Sequence, residues 1–249
     1  MIDLKGKTIL LTGASRGIGA ATAVALDQAG ARVVMTYGRS GDQAREVAAA
    51  CKNSPALLQA DLAEPGAASD LFDRAIDAVG SLHVVVNNAG IAPEVDIAAS
   101  DDEWSAAWQS TMQVNLFSLA DICRKAIAHY VAGGGGTIIN IASRAAFRGD
   151  EPNMMHYAAS KAAVVALGRS IARGYGKDGV VAHTVNPGWV STEMAKGFFA
   201  ANPDALDGFP LGEAVPPEEV AATIAFLASG LARHLTGSTV EINGATHVR

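Results

Sequence analysis

Hydrophobic residues along this chain gather in short, nearly unbroken runs instead of alternating with polar ones. The runs are Thr8–Thr12 (TILLT), Arg32–Tyr37 (RVVMTY), Ala56–Ala60 (ALLQA), Leu82–Asn87 (LHVVVN), Thr137–Ala142 (TIINIA), Val180–Asn186 (VVAHTVN) and Thr239–Ile242 (TVEI), each four to seven residues long. Between them lie longer, mostly alanine-rich stretches of helical character: Ile18–Gly30, Asp42–Lys52, Pro65–Val79, most of Asp101–Tyr130, Met154–Gly174 and Pro217–Leu227. An apolar run of strand length without alternation marks a strand covered on both faces, the situation of a parallel sheet flanked by helices. The repeated strand–helix–strand order predicts a doubly wound α/β domain, with a seven-stranded parallel sheet and helices on both faces.

Composition narrows the class without changing that picture. A chain of 249 residues suits one such domain over 1–249, and 49% hydrophobic with 18% charged residues is globular rather than disordered. Cys51 and Cys123 lie far apart in helix-like stretches, no Cys/His cluster has metal-ligand spacing, and both read as buried thiols in a reducing compartment. Met1–Lys7 lacks the apolar stretch of a secretory signal and no later run reaches membrane-spanning length, so a soluble cytoplasmic protein without a membrane partner is expected. A net charge of -6 with 19 scattered basic residues argues against a nucleic-acid partner, whose phosphates need clustered Lys or Arg. The Gly133–Gly136 run reads as a flexible helix-to-strand turn.

Three glycines stand between the first run and the first helix, in Thr12-Gly13-Ala14-Ser15-Arg16-Gly17-Ile18-Gly19. Residues without side chains at a helix N-terminus let a dinucleotide pyrophosphate reach backbone N–H groups, which makes this a Rossmann-type loop. Two other motifs compete for the same stretch. Gly6-Lys7-Thr8 resembles the end of a P-loop, but the first glycine that loop needs falls at Met1. Gly13-Ala14-Ser15-Arg16-Gly17 matches the G-x-S-x-G elbow of a serine hydrolase with Ser15 as nucleophile. Such an enzyme also needs a later acid, a later histidine base and an oxyanion loop; only His247 stands plausibly late, and no HGGG-like loop is present.

Further polar motifs follow the runs in order. Asn87-Asn88-Ala89-Gly90 follows the fourth, Asn115 lies inside the long helix, and Ser143 follows the fifth. Tyr157-Ala158-Ala159-Ser160-Lys161 opens the next helix, and Asn186-Pro187-Gly188 follows the sixth run. From about Leu4 to about Asn243 the ordered set resembles the short-chain dehydrogenase/reductase family in its single-domain branch, closest in pattern to the 3-oxoacyl-carrier-protein reductases. The resemblance implies a nicotinamide-dependent oxidoreductase acting on CH–OH groups, with Asn115, Ser143, Tyr157 and Lys161 catalytic. It implies cofactor contacts from Gly13, Ser15, Arg16, Gly17, Ile18, Gly19, Tyr37, Arg39, Asp61, Leu62, Asn88, Ala89, Gly90, Tyr157, Lys161, Pro187, Gly188, Val190 and Thr192. No metal site is implied. Asp61 corresponds to an adenine-contacting acid, Thr192 to a contact with the cofactor carboxamide, Lys161 to a ribose anchor and Asn115 to the holder of a proton-relay water.

The residues bear independent chemical sense. Carbonyl reduction takes a hydride from a nicotinamide and a proton from an acid. Bringing a phenol from pKa about 10 to near 7 requires about 4 kcal/mol of preference for the phenolate. Tyr157 and Lys161 share a helix face, and an ammonium at about 4 Å in an effective dielectric near 20 contributes roughly that much. Ser143, at the C-terminal end of a strand, is placed to polarise a carbonyl or to cap the strand end. Asn115 sits in an apolar stretch and needs its amide satisfied. His156, about 100° around the helix from Tyr157, reads as a pocket-edge or surface residue.

The second strand ends Thr36-Tyr37-Gly38-Arg39-Ser40, without the carboxylate that an NAD site places at the ribose 2′-OH. Arg39, with Arg16 in the glycine loop, suits a 2′-phosphate instead, so NADP(H) is favoured over NAD(H). Residues 189–215, with Trp189, Met194, Phe198, Phe199, Phe209 and Leu211, read as an apolar lid over the substrate or as surface helices packed on the domain. Asn243-Gly244-Ala245 departs from the family's more usual DGG-like ending, and Arg144 and Arg148 flank the Ser143 loop, a bias towards polar or acidic substrates. An acidic carrier protein needs a basic docking patch, which His129–Gly133 lacks, so a free small-molecule carbonyl or alcohol is the expected substrate. A nucleotide-binding regulator, which keeps the fold without the chemistry, would typically have lost Tyr157 or Lys161. The family resemblance further implies a homotetramer formed through the helices holding Asn115 and Tyr157.

Overall fold

A computed structural model describes residues 2–248 of the chain. Among the described residues, seven strands form one all-parallel sheet: β1 (Thr8–Leu11), β2 (Arg32–Tyr37), β3 (Ala56–Gln59), β4 (Val84–Asn87), β5 (Gly136–Ile141), β6 (Val180–Pro187) and β7 (Thr239–Ile242), in the order β3-β2-β1-β4-β5-β6-β7. The connecting helices are α1 (Gly17–Gln28), α2 (Gly41–Ala50), α3 (Ala67–Val79), α4 (Asp101–Met112), α5 (Ser118–Gly133), the single turn α6 (Ala145–Arg148), α7 (Met155–Tyr175), α8 (Glu193–Ala201) and α9 (Pro217–Ala228). The Rossmann-type doubly wound sheet read from the sequence is thus the observed fold.

The absence of alternation has a direct structural counterpart. In β1, Ile9 and Leu11 enter a core shared with Leu26 of α1 and Ile224 and Leu227 of α9, while Leu10 points into a second core with Leu71, Phe72, Ile122 and Val164. Successive residues face opposite sides of a strand, so a strand with helices above and below must be apolar throughout. At about 25 cal/mol per Å² of apolar surface removed from water, these two cores are the main stabilising term.

β1 pairs with both β2 and β4, and the order of strands reverses there. Helices leaving the two sides run to opposite faces, which opens a crevice above the C-terminal strand ends. The expected long helix over Asp101–Tyr130 is interrupted: α4, started by a capping box of Ser100 and Glu103, passes into a π-helical turn at Gln113–Phe117 before α5 begins. The stretch 189–215 folds as α8 and a 3₁₀ turn, Ala205–Gly208, so it contains one helix rather than a helix pair.

Candidate active site

The glycine loop connects β1 to α1 at the mouth of the crevice. Gly13 and Gly17 have φ of +66° and +55°, a region that side chains disfavour, and a Cβ on Gly19 would lie 2.1 Å from the Gly13 carbonyl oxygen. The loop is held by Thr12 and Asn88: Thr12 Oγ1 accepts from the amides of Asn88 (2.9 Å) and Ala89 (3.0 Å), and Asn88 Nδ2 donates to the carbonyls of Thr12 (2.9 Å) and Gly13 (3.0 Å). Arg16 stands at the N-cap of α1 with no side-chain cap, and no acidic residue occupies the first turn, so the helix presents its N–H groups and partial positive charge to the crevice. Ser15 and Ile18 are half-buried beside it, and Arg16 is exposed. The hydrolase alternative finds no support here, because Ser15 has no hydrogen bond to a histidine among the described residues.

At the end of β2, Tyr37 is half-buried, and exposed Arg39 reaches Asp61 at 3.5 Å; Leu62, next to Asp61, is buried. Across the crevice β6 ends at buried Pro187, and Gly188 N donates to Ile242 O at 2.8 Å. Val190 is buried and bridges Val215, which directs Thr192 over the glycine loop: a Cβ on Gly17 would lie 3.1 Å from Thr192 Cγ2.

Tyr157 and Lys161 open α7 one turn apart, as their spacing requires. Lys161 is 4% exposed; its Nζ donates to Ile141 O at the end of β5 (2.9 Å) and lies 5.7 Å from the Tyr157 ring centroid. Gly90 packs over the same spot, where a Cβ would stand 3.4 Å from Lys161 Nζ and 3.3 Å from Asn115 Oδ1. Asn115 sits in the π turn, a distortion common at functional sites. Its amide is fully used: Oδ1 accepts from Ile91 N (2.8 Å), and Nδ2 donates to Ile91 O (2.9 Å) and Ser160 Oγ (3.1 Å). Ser160 in turn donates to Tyr157 O (2.7 Å). Ser143 follows β5, where its Oγ accepts from Ala145 N (3.2 Å) at the start of α6.

Electrostatics departs from the simplest sequence argument. Burial pushes the Tyr157 phenol up to about 12, with the Ser143 hydrogen bond acting downwards and the charge of Asp150 upwards. Burial pulls the Lys161 ammonium down to about 8. Spacing along the helix alone would set the ammonium about 4 Å from the phenol at an effective dielectric near 20; here Lys161 Nζ donates to a backbone carbonyl, and desolvation of both groups dominates. The pair therefore favours a neutral phenol.

His156 corrects an expectation: it is fully buried, with Nε2 2.7 Å from Pro93 O and its ring against Trp108. The loop 91–95 curls back over the start of α7, further tied by Val95 N to Asn153 O (3.0 Å) and Asn153 Nδ2 to Glu94 (3.0 Å), and so encloses the side of α7 that sequence spacing left open. Ile91, Ser160 and the Ile141 carbonyl are site members that the motif reading missed; only Ser160 had a signal, a hydroxyl one residue before Lys161. In the 189–215 stretch, Trp189 stacks on Phe198 (centroids 3.9 Å apart), with Phe199 and Phe209 behind them.

This geometry has counterparts among known proteins. A family model described as enoyl-(acyl carrier protein) reductase matches residues 13–247. The 3beta-hydroxysteroid dehydrogenase 1 of Eggerthella lenta is 36% identical over 97% of this chain and 94% of its own. A 3-oxoacyl-[acyl-carrier-protein] reductase of Synechocystis is 34% identical over 98% of both chains. A solved structure from Beutenbergia cavernae, assigned as an NAD(P)-dependent gluconate 5-dehydrogenase and holding NADP at low occupancy, superposes with a TM-score of 0.88 at 32% identity, covering 98% of this chain and 97% of that one. The chain belongs to the short-chain dehydrogenase/reductase family. It is an oxidoreductase of the alcohol/carbonyl type, close to the 3-oxoacyl-carrier-protein reductases.

Proposed function

We propose that the protein interconverts a carbonyl and a secondary alcohol on a free small molecule, using NADP(H), with Tyr157 as acid/base. The observation that carries the reading is the convergence of Tyr157, buried Lys161, Ser143 and Asn115 at the strand ends beside an uncapped glycine loop. The loop fits a dinucleotide: a side chain at Gly19 would collide with the Gly13 carbonyl, and the free N–H groups of α1 suit a pyrophosphate. Gly13, Ser15, Arg16, Gly17, Ile18 and Gly19 would hold the phosphates, Tyr37, Arg39, Asp61 and Leu62 the adenosine end, and Asn88, Ala89, Gly90, Lys161, Pro187, Gly188, Val190 and Thr192 the nicotinamide end. When bound, the cofactor supplies or receives the hydride.

The chain's own residues manage the proton. In reduction Tyr157 Oη gives its proton to the carbonyl oxygen while Ser143 orients that oxygen. The phenolate so formed would be costly alone in this buried site, and the Lys161 ammonium beside it makes a pair less costly than either ion separately. Asn115 fixes the Ile91 carbonyl and, through Ser160, the first turn of α7; we assign it the support of a relay water.

For NADP(H), the support is the absence of a carboxylate at the end of β2 and the presence of Arg16 and Arg39. The Arg39–Asp61 contact is exposed and weakly held, so a 2′-phosphate would compete for the guanidinium. Free substrates are favoured over carrier-bound ones because the end of α5, His129–Gly133, bears no Lys or Arg. We further read the enzyme as a cytoplasmic homotetramer; exposed Phe117 and Met155, beside the expected interface helices, support the assembly. No helix of the described residues is long and apolar enough to cross a membrane. The deciding experiment is a spectrophotometric screen of ketones, acyl thioesters and alcohols with both nicotinamides. Turnover by the wild type and its loss in Tyr157→Phe are expected, whereas equal turnover by the variant sinks the assignment.

A further inference from the structure

Arg144 follows Ser143 directly, and its backbone N–H is fixed by Pro187 O (3.0 Å), so it is locked between the ends of β5 and β6. Its guanidinium lies over Trp189, 5.5 Å from the ring centroid, on the shelf that Trp189 forms with Phe198. One face is therefore apolar and desolvated, while stacking leaves the edge N–H groups of a guanidinium free for a planar, bidentate acceptor. Among the described residues no such acceptor is supplied: Asp150, the nearby acid, reaches Arg148 (3.5 Å), and Arg144 has no hydrogen bond or ion pair through its side chain.

The local balance is two guanidiniums against one carboxylate. Burial, and then repulsion from Arg148, lower the pKa of Arg144, with Asp150 opposing them. The charge of Asp150 is also felt at the Tyr157 phenol, which puts this charged group and the acid/base in one electrostatic neighbourhood. A half-buried, unpaired cation beside a reaction centre costs stability unless a ligand neutralises it.

We propose that Arg144 is a substrate-binding residue whose guanidinium takes a carboxylate, so that the enzyme acts on hydroxy acids and keto acids in preference to neutral alcohols and ketones. The assignment rests on the function proposed above for the reaction, and adds the substrate class. Trp189 and Phe198 supply an apolar wall for the carbon skeleton, and Arg144 stacked on that wall sets its orientation.

The test uses the full-length protein with NADPH and NADH present, and pairs each keto acid with its methyl ester: levulinate, 3-oxobutanoate and 4-oxocyclohexanecarboxylate. For at least one pair, wild type should prefer the acid by about 10- to 100-fold in kcat/KM, a charge-assisted hydrogen bond's worth. Arg144→Met keeps the stacked stem and removes the charge, and should bring the acid-to-ester ratio close to one; Arg144→Lys should recover part of it. A second readout needs no turnover: cyclohexanecarboxylate should bind the NADP⁺-loaded wild type at least about tenfold more tightly than cyclohexanecarboxamide, with the difference gone in Arg144→Met. Equal losses on acid and ester in Arg144→Met, or wild type without preference for acid or carboxylate, overturn the proposal and leave the reaction assignment standing. Carboxylate binding that depends on Arg144 without any turnover keeps the anion site and refutes the reaction.

Discussion

The two sides of the crevice are built from different materials. Towards β1 and β2 the surface offered to a ligand is backbone: Gly13, Gly17 and Gly19 with the open end of α1, held by Thr12 and Asn88. Towards β5 and β6 it is side chain: Ser143, Arg144, Tyr157, Lys161 and the Trp189–Phe198 shelf. Backbone can hold a group that is always the same, such as a pyrophosphate, whereas side chains can be exchanged singly to admit a new substrate. The contrast explains how one scaffold serves relatives named for steroids and for carrier-bound acyl groups.

Damage on each side should have a different signature. The largest effect is expected for Tyr157→Phe, which removes the proposed proton donor and leaves the backbone side intact. Its kcat should fall about 10²- to 10⁴-fold while nucleotide affinity, read by fluorescence titration, stays within about twofold. Nucleotide binding lost in parallel would erase the division between the two sides. Gly19→Ala should behave in the opposite way. Its methyl meets a backbone oxygen that cannot move aside, so nucleotide affinity should collapse and the melting temperature should drop, by about 3 kcal/mol or more of stability; a variant with unchanged melting and binding refutes the close packing.

Lys161 links chemistry to pH. Its pKa in the fold, about 8, lies below the ordinary 10.5, so between these values the unfolded chain binds more protons and stability rises with pH. That contribution is complete above the ordinary value and lost as pH falls through the lowered one. Chemical denaturation of wild type and Lys161→Met should differ in slope over this window by roughly 3 kcal/mol in total. Tyr157 works in reverse, since a phenol raised from 10 to about 12 gives stability that disappears as pH climbs through that range; Tyr157→Phe should flatten that limb. Parallel curves would show that neither group is buried as described. The smallest effect belongs to Arg16→Ala with Arg39→Ala, which should reduce the preference for NADPH over NADH by about 10-fold, or 1.4 kcal/mol, with little change in kcat. An unaltered preference in steady-state kinetics refutes the cofactor assignment while sparing the acid/base one.

Legibility from sequence follows the same division. Strands covered on both faces, such as Val84–Asn87, are apolar at every position, and the glycines of the loop are dictated by positive φ and close approach; both are visible as residue type at a spacing. Tyr157 and Lys161 are legible because a helix fixes what four residues mean. The Ile141 carbonyl that receives the Lys161 proton, the Ile91 backbone that occupies Asn115 and the burial of His156 under the loop 91–95 arise from segments far apart in the chain. Backbone partners have no residue identity to read. The same is true of the desolvation that sets the pKa of Tyr157, which depends on everything packed around it and not on its nearest charged neighbour.

The π turn at Gln113–Phe117 separates two properties that a regular helix would bind together. A wider turn inserts one residue into what would be a continuous helix, and one residue is about 100° of rotation. Beyond it, Ile122, Cys123, Ala126 and Tyr130 of α5 point into the core beneath the sheet. The wider turn absorbs that rotation, so deleting one of its residues would restore a regular helix with α5 still facing the core, while withdrawing Asn115 from Ile91 and Ser160. The inserted residue thus sets the position of the Asn115 amide apart from the packing face behind it, so the helix can lose the one by a change of length and keep the other.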